Sequence, residues 1–324
     1  MILIDQNLKE LSEIELDVDV EVGTSKDSTN DFEMSNAFIQ NLGAAGFYIP
    51  GTEIGGLFEY DKTKSSEDIS TLKGWTWRGL LTQAILVPPA GSDYLTVSGE
   101  ANDIISTLLQ NVLGGFFDVS TEDSGLTITN YQFPLYINVL DGIEGMLEAY
   151  GYKLQITADK IASGQPIKIL IHAVEAAQIT GTYNEDNGIP MTFTRNQMGI
   201  NHLLCGGKGE LQDRLKVNLY INNNGVVSTS SQYYFGFDER TAFYDYSSAE
   251  SEADLITSGT KKLKELASSK TLSLKAPENS DLTVGDLVTG QFPDGTIITK
   301  PVVQKIYKIS GGLLSTEIKI KGEN

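Results

Sequence analysis

From Ile14 to Val22 the chain alternates apolar and acidic side chains without a break: Ile14, Leu16, Val18, Val20 and Val22 against Glu15, Asp17, Asp19 and Glu21. A period of two belongs to a strand that packs one face and wets the other. Whatever else this chain builds, it begins with a sheet whose open face carries four carboxylates. The plain reading is a solvated acidic surface, and the sharper one is a surface to which nucleic acid must not adhere. Short strand patterns continue over 32–34, 46–49, 56–60 and 70–79, with Pro50-Gly51 as a turn between two of them. Residues 1–95 thus read as a meandering β region closed by Pro88-Pro89.

The texture then changes. Ile104, Ile105, Leu108, Leu109, Val112 and Leu113 recur at helical spacing, and Gly114-Gly115 supplies the stop. Asn138 is placed to cap a second helix with Val139, Leu140, Ile143, Leu147 and Tyr150 on its inner face and Gly151 at its end. Strands are expected over 152–157 and 167–171, so 96–185 reads as an α+β insert. From 186 to 324 the pattern returns to β, over 191–194, 202–206 and 216–221, with a hairpin-type turn at Asn222-Asn223-Asn224-Gly225. One long helix, about 248–268, interrupts it. Ser247 and Glu250 form its expected capping box, and Leu255, Ile256, Leu263 and Leu266 its apolar stripe. The last strands read as a hairpin, 302–309 and 313–321, turning at Ser310-Gly311-Gly312.

Charge and composition narrow the function. The 324 residues hold 24 Lys and Arg against 43 Asp and Glu, a net charge of -19. Gripping nucleic acid by its phosphates needs clustered cations, and so does docking on anionic lipid. No apolar stretch approaches the roughly 18 residues that a membrane span requires, and no targeting signal opens the chain, so synthesis and folding in the cytosol are expected. Cys205 is the single thiol, which excludes an intrachain disulfide and a multi-thiolate metal site. His172 and His202 are the only imidazoles. His202 and Cys205, three apart in a strand, face opposite ways and make a poor nucleophile pair. Gly206-Gly207-Lys208-Gly209 lacks the Walker spacing and has no Ser or Thr after its Lys, so it reads as a bend. Asn184-Glu185-Asp186-Asn187-Gly188 has the oxygen-rich composition of a calcium turn without its full spacing, and reads as a polar loop. No carboxylate pair stands out by context as a hydrolase dyad. Trp75 and Trp77 flank Thr76 on one strand face, which fits core or subunit-interface packing better than a sugar platform. No catalytic, cofactor-binding or metal-binding residue is assigned.

Several segments resemble a family of siphophage tail proteins. Gly74-Trp75-Thr76-Trp77-Arg78-Gly79-Leu80-Leu81 is similar to the strand and turn that end that family's first barrel segment. Gly199-Ile200-Asn201-His202-Leu203-Leu204-Cys205-Gly206-Gly207-Lys208-Gly209-Glu210-Leu211 resembles the opening of its second barrel, and Arg214 with Val217-Asn218-Leu219-Tyr220 continues the pattern. Tyr244-Asp245-Tyr246-Ser247-Ser248-Ala249 and Leu282-Thr283-Val284-Gly285-Asp286-Leu287-Val288 fit on either side of the long helix. In order and spacing these motifs span nearly the whole chain. The family is similar to the baseplate hub proteins of long-tailed phages.

That resemblance implies an α+β, β-rich fold in which two small β-barrel domains flank an α+β insert. Hub proteins form threefold rings at the tip of the tail tube. Three subunits with two related barrels each offer a pseudo-sixfold face to the hexameric tube, and further domains build the threefold face below. The resemblance thus implies a homotrimer in the virion tail that contacts the tail tube or a distal tail protein on one side. A tip, receptor-binding or spike protein would sit on the other. DNA would pass without specific binding, no membrane or cofactor would take part, and Glu15, Asp17, Asp19 and Glu21 are the candidate channel lining. The alternative is a tail-associated cell-wall-degrading enzyme, a peptidase or glycan hydrolase. Two imidazoles and one thiol leave a metallopeptidase or thiol peptidase little to work with. A carbohydrate-binding module using Trp75 or Trp77 is a third reading.

Overall fold

The computed structural model describes residues 1–35, 43–64, 69–113, 115–183, 191–196, 198–267, 269–275, 282–291, 295 and 297–323. The chain divides into two compact units: unit 1 is Met1–Met191 with Ser273–Ile320, and unit 2 is Thr192–Leu272 with Lys321–Asn324.

The first region holds β1 (Ile2–Ile4), β2 (Glu10–Glu13), β3 (Val18–Gly23), β4 (Asp31–Ser35), β5 (Gly46–Tyr48), β6 (Gly55–Lys64) and β7 (Ile69–Thr76), then the short helix α1 (Trp77–Thr82). Next come β8 (Thr96–Glu100), α2 (Ala101–Leu113), β9 (Asp118–Val119), β10 (Thr127–Gln132), α3 (Val139–Glu148), β11 (Tyr152–Lys160), β12 (Ile167–Glu175) and β13 (Gln178–Tyr183). After β14 (Met191–Asn196), unit 2 contains β15 (His202–Gly206), β16 (Lys216–Ile221), β17 (Val227–Ser228), β18 (Thr241–Asp245) and α4 (Glu252–Leu266). Then β19 (Ser269–Lys275), β20 (Leu287–Gln291), β21 (Ile297–Ser310) and β22 (Leu313–Glu323) complete the order. The fold is α+β and rich in strands.

In unit 1 an antiparallel path runs β2-β1-β5-β6-β7-β4-β3-β21-β22. The C-terminal hairpin, grouped from sequence with 186–324, therefore lies in the same sheet as the N-terminal strands, with Val18 opposite Ile309 and Gly23 opposite Gln304. Long β21 serves two partners in succession: its first half pairs with β20, its second half with β3 and β22. Among the described residues no pairing closes this path into a ring. The alternation that opened the sequence forms a strand from Val18 onward, residues 14–17 leading into it outside regular structure. Val18, Val20 and Val22 are buried with Phe32, Met34, Phe47 and Leu72, while Glu15, Asp17 and Asp19 are exposed. Each large apolar side chain so buried contributes about 1.5–3 kcal/mol. The Phe32 ring meets Phe47 edge-on at 4.8 Å and lies over Gly56 and Gly74, where a Cβ would stand 2.9 and 2.8 Å from it. Side chains at those two glycines would evict the ring.

The 96–185 segment packs its elements on a second core. Leu154, Ile156 and Ala158 of β11 and Ile167, Ile169 and Ile171 of β12 pack with Ile105 and Leu108 of α2 and with Val139, Leu140, Ile143 and Leu147 of α3. The Asn138 cap is as the sequence predicts, its Oδ1 accepting from Asp141 N at 2.8 Å. Tyr150 departs from the predicted inner face: α3 ends at Glu148, so Tyr150 lies beyond the helix and is exposed. The run over 167–171 is not buried on both faces, because Lys168 and Leu170 point outward in an alternating strand.

The strand expected over 70–79 is cut short. Thr76 is an N-cap: its Oγ1 accepts from Gly79 N at 3.1 Å and donates to the Asn30 carbonyl at 2.8 Å, which starts α1 at Trp77. Trp75 and Trp77 consequently do not share a strand face.

Unit 2 is a four-stranded sheet in the order β17-β16-β15-β18, with β15 and β18 parallel. Helix α4 covers one face, where Leu255 and Leu263 bury Leu203, Cys205, Val217 and Leu219. Gly259 permits the close approach, since a Cβ there would lie 2.5 Å from Cys205 Sγ and 2.6 Å from Leu219 Cδ1. The helix begins later than the Ser247–Glu250 box predicts. Ser251 is the cap, accepting from Asp254 N at 3.1 Å, and Glu250 instead pairs with Lys208. The two boxes are alike in kind and four residues apart, but the outer one is pre-empted: Ala249 sits in a turn, its amide donating to the Tyr246 carbonyl and its carbonyl accepting from Lys208 N, each at 2.9 Å.

Candidate functional site

The acidic row is the first candidate. Glu15 and Asp19 project from exposed positions, while Asp17 and Glu21 also hold the backbone. Asp17 Oδ1 accepts from Gly311 N at 2.9 Å and fixes the β21–β22 turn. Glu21 Oε1 accepts from Thr29 N at 3.0 Å and from the Gln304 amide. Across the sheet, Asp19 stands opposite Glu33 on β4 and Lys308 on β21, and Glu33 pairs with Lys73 at 2.5 Å. Two facing carboxylates repel, and the flanking lysines offset that. The row is therefore acidic along β3 but bordered by cations.

Charge is unevenly divided at a larger scale. Unit 2 holds ten Lys and Arg against ten Asp and Glu, so the whole net charge of -19 belongs to unit 1.

Unit 1 also contains a buried ionic joint that no motif announced. Arg78, 1% exposed, stands in the otherwise apolar run that opens α1. Its Nε donates to Glu53 Oε1 at 2.6 Å, its Nη1 to Glu144 Oε1 on α3, and its Nη2 to the Leu154 carbonyl on β11 at 3.1 Å. Burial opposes the cation, yet the two carboxylates hold the Arg78 pKa above its ordinary value. Burial pushes the Glu144 carboxyl up to about 7, against the pull of Arg78. The joint ties α1 to the elements of the α+β insert. The signal for it was a lone charge among Trp77, Leu80 and Leu81, which must be paired if it is buried. A second tie joins β11 to the stretch before β20. Lys153 Nζ donates to Asp286 Oδ1 and Thr283 Oγ1, each at 2.6 Å, and Asp286 also accepts from Ala177 N and Thr283 N. These are cross-braces, and none opens to a reacting group.

The remaining candidates separate. Cys205 is fully buried, and burial pushes its thiol up to about 11. His202 faces the other side of β15, stacked on Tyr220 at 4.4 Å. Its Nδ1 lies 2.7 Å from Glu239 Oε1 and its Nε2 2.9 Å from Asn218 Oδ1, so neither nitrogen is directed at a nucleophile beyond the neighbouring Thr241 hydroxyl. Gly206-Gly207-Lys208-Gly209 is a bend. Its glycine carbonyls accept from Arg214, and the Gly207 and Lys208 amides are taken by Leu215 and Ala249, so no amide nest faces outward. Trp77 is fully buried and Trp75 half-buried, which removes a sugar platform. The oxygen-rich turn at 184–188 lies outside the described residues. Among the described residues no group of three or more His, Cys, Asp or Glu is placed to hold a metal, and no helix is long and apolar enough to cross a membrane.

No family model and no curated protein sequence matches the chain. Solved structures do. The 43 kDa tail protein of prophage MuSo2 from Shewanella oneidensis aligns with a TM-score of 0.51 at 10% identity, over 97% of this chain and 95% of that one. The tail protein from Neisseria meningitidis MC58 aligns at 0.47 and 12% identity, over 97% and 93% of the two chains. A chain of the Phage P2 baseplate in its activated conformation with Ca aligns at 0.45 and 14% identity, over 97% and 89%. Over almost its whole length, this chain has the fold of a phage tail protein.

Proposed function

We propose that the chain is a structural subunit of a phage tail tip or baseplate. Three copies form a hub ring that closes the tail tube and adapts its sixfold symmetry to a threefold tip. Each copy contributes two barrel-type regions around the insert at 96–185: the N-terminal strands 1–95 joined by the β21–β22 hairpin, and the remainder of the 186–324 region, centred on the sheet of unit 2. The observation that carries the reading is the end-to-end fold likeness to a prophage tail protein. Two features support it. Two buried ionic joints, at Arg78 and at Lys153, cross-brace unit 1, as in a part that transmits load, and the net charge of -19 is concentrated in one body. Walls of that sign repel passing phosphates and keep DNA transit loose. Glu15, Asp17 and Asp19 are our choice for such a wall, with Glu21 as the buttress behind it. The neighbours are the tail tube or a distal tail protein and a tip, receptor-binding or spike protein, all in the virion tail.

Light scattering on the purified full chain, beside negative-stain micrographs, tests this. The expected result is a mass of three chains and ring-shaped particles, with no retardation of duplex DNA at any salt concentration. A monomer with DNA binding at moderate salt would reject it. No cleared zone is expected on a peptidoglycan zymogram, and one would establish the wall-degrading alternative.

A further inference from the structure

We infer that copies of this chain meet head to tail, the 233–237 loop of unit 2 in one copy covering an apolar patch around Leu135 and Tyr136 on unit 1 of the next. The inference rests on the ring proposed above and names the surfaces that build it.

Large apolar side chains are exposed at several places, among them a pair of neighbouring loops on unit 1 and one loop on unit 2. On unit 1, backbone bonds from Leu86 N to the Ile137 carbonyl and from Val139 N to the Ala84 carbonyl lay 84–87 beside 137–139. Ile85, Val87, Leu135 and Tyr136 therefore stand on neighbouring loops, exposed by 44%, 58%, 47% and 68%. Tyr136 sits at φ 56, a left-handed conformation that a bulky side chain seldom adopts. On unit 2, the loop between β17 and β18 carries Phe235 at 67% and Phe237 at 105% exposure. That loop is not slack. Tyr234 Oη donates to Asn223 Oδ1 at 2.6 Å, Asn201 Nδ2 to the Asp238 carbonyl at 2.7 Å, and Arg240 Nε to the Gly199 carbonyl at 2.7 Å. Aromatic rings held in water on a bonded loop are anchors whose ordering cost has already been met.

Charge selects the occupant. Contact between two copies through unit 1 brings two bodies of -19 together, whereas unit 2 is neutral and approaches either body without that repulsion. A contact between two copies of unit 2 would cover the phenylalanines and leave the unit 1 patch in water. The head-to-tail contact covers both, and it is the heterologous kind that closes a ring. Two fully buried phenylalanines supply roughly 400 Å², about half of one partner's share of a standard interface. The patch and the rims supply the rest.

The test uses light scattering on the full chain and two double variants, Phe235→Ser with Phe237→Ser, and Leu135→Ser with Tyr136→Asn. All four side chains are exposed, so folding is expected to survive, and unchanged tryptophan emission and far-UV dichroism verify it. Each double variant should weaken assembly at least about 100-fold. An equimolar mixture of the two retains one intact loop and one intact patch. At concentrations where the wild type is fully assembled, it should give mixed dimers and no rings. A wild-type chain that stays monomeric overturns the ring and this contact together. A wild-type trimer whose variants still form trimers, or whose mixed variants give no dimer, overturns the contact alone.

Discussion

Glu144 is the removable member of the Arg78 joint. One guanidinium there serves two carboxylates, so the enclosed site carries a surplus negative charge, and burial raises the Glu144 pKa from an ordinary 4.5 to about 7. The folded state thus keeps a proton that the unfolded chain gives up. The resulting stability is fully present below about pH 4.5 and is lost as pH rises through about 7. At about 1.4 kcal/mol per pH unit, that window sets a ceiling of about 3 kcal/mol on the cost of ionising Glu144 in place. Glu144→Gln keeps an acceptor for Arg78 Nη1 and removes the charge. The variant should match the wild type near pH 4.5 and exceed it by about 1–3 kcal/mol at pH 8, the difference growing across the interval. Trp75 and Trp77 are the only tryptophans and both lie in unit 1, so urea titrations followed by indole emission read the relevant body alone. A variant less stable than the wild type at pH 8, or a difference that does not change with pH, refutes the argument. Arg78→Met serves as the contrast, because it strands two carboxylates and should cost about 3–5 kcal/mol.

Four further outcomes follow from the same geometry. Asp286→Ala takes from the Lys153 ammonium its carboxylate partner and from two backbone amides their acceptor, and should cost about 3 kcal/mol in the indole assay. In unit 2, Cys205 is a native reporter: buried, with its thiol pushed up to about 11, it should react with an aromatic disulfide reagent at pH 8 only through unfolding of that unit. By thiol reactivity, Ser251→Ala should lower unit 2 stability by about 1 kcal/mol, and Ser247→Ala should change it by less than about 0.5 kcal/mol. Gly259→Ala drives a methyl into Cys205 and Leu219 and should cost about 1–3 kcal/mol by the same measurement.

What could be read from the sequence was whatever depends on neighbours along the chain. The 14–22 alternation, the Asn138 cap and the turn at 222–225 are local devices, and the structure contains the last two as read and the first as a strand over 18–23 only. Two equally good signals in one stretch defeat that kind of reading. Ser247 with Glu250 and Ser251 with Asp254 both look like helix starts, and the long-range bonds from Lys208 to the Ala249 carbonyl and to Glu250 decide between them. The Thr76 cap was hidden because Trp75, Trp77 and Leu81 suit a strand as well as a helix. The bond from Thr76 to the Asn30 carbonyl, 46 residues away, settles it. The Arg78 joint and the pairing of β21 with β3 are wholly non-local. No window of sequence contains Glu53, Arg78 and Glu144 together.

The placement of β21 beside β3 has a consequence during synthesis. Glu21 and Gln304, bonded across those strands, are 283 residues apart. At about 5–20 residues per second on the ribosome, the outer edge of β3 waits roughly 15–60 s for its partner after it emerges. A bare strand edge with valines on one side is a template for mispairing with the next nascent chain. The carboxylates of Asp19 and Glu21 on its other side, with Glu15 and Asp17 just ahead of the strand, repel an identical neighbour during that interval and act as gatekeepers against aggregation on the polysome.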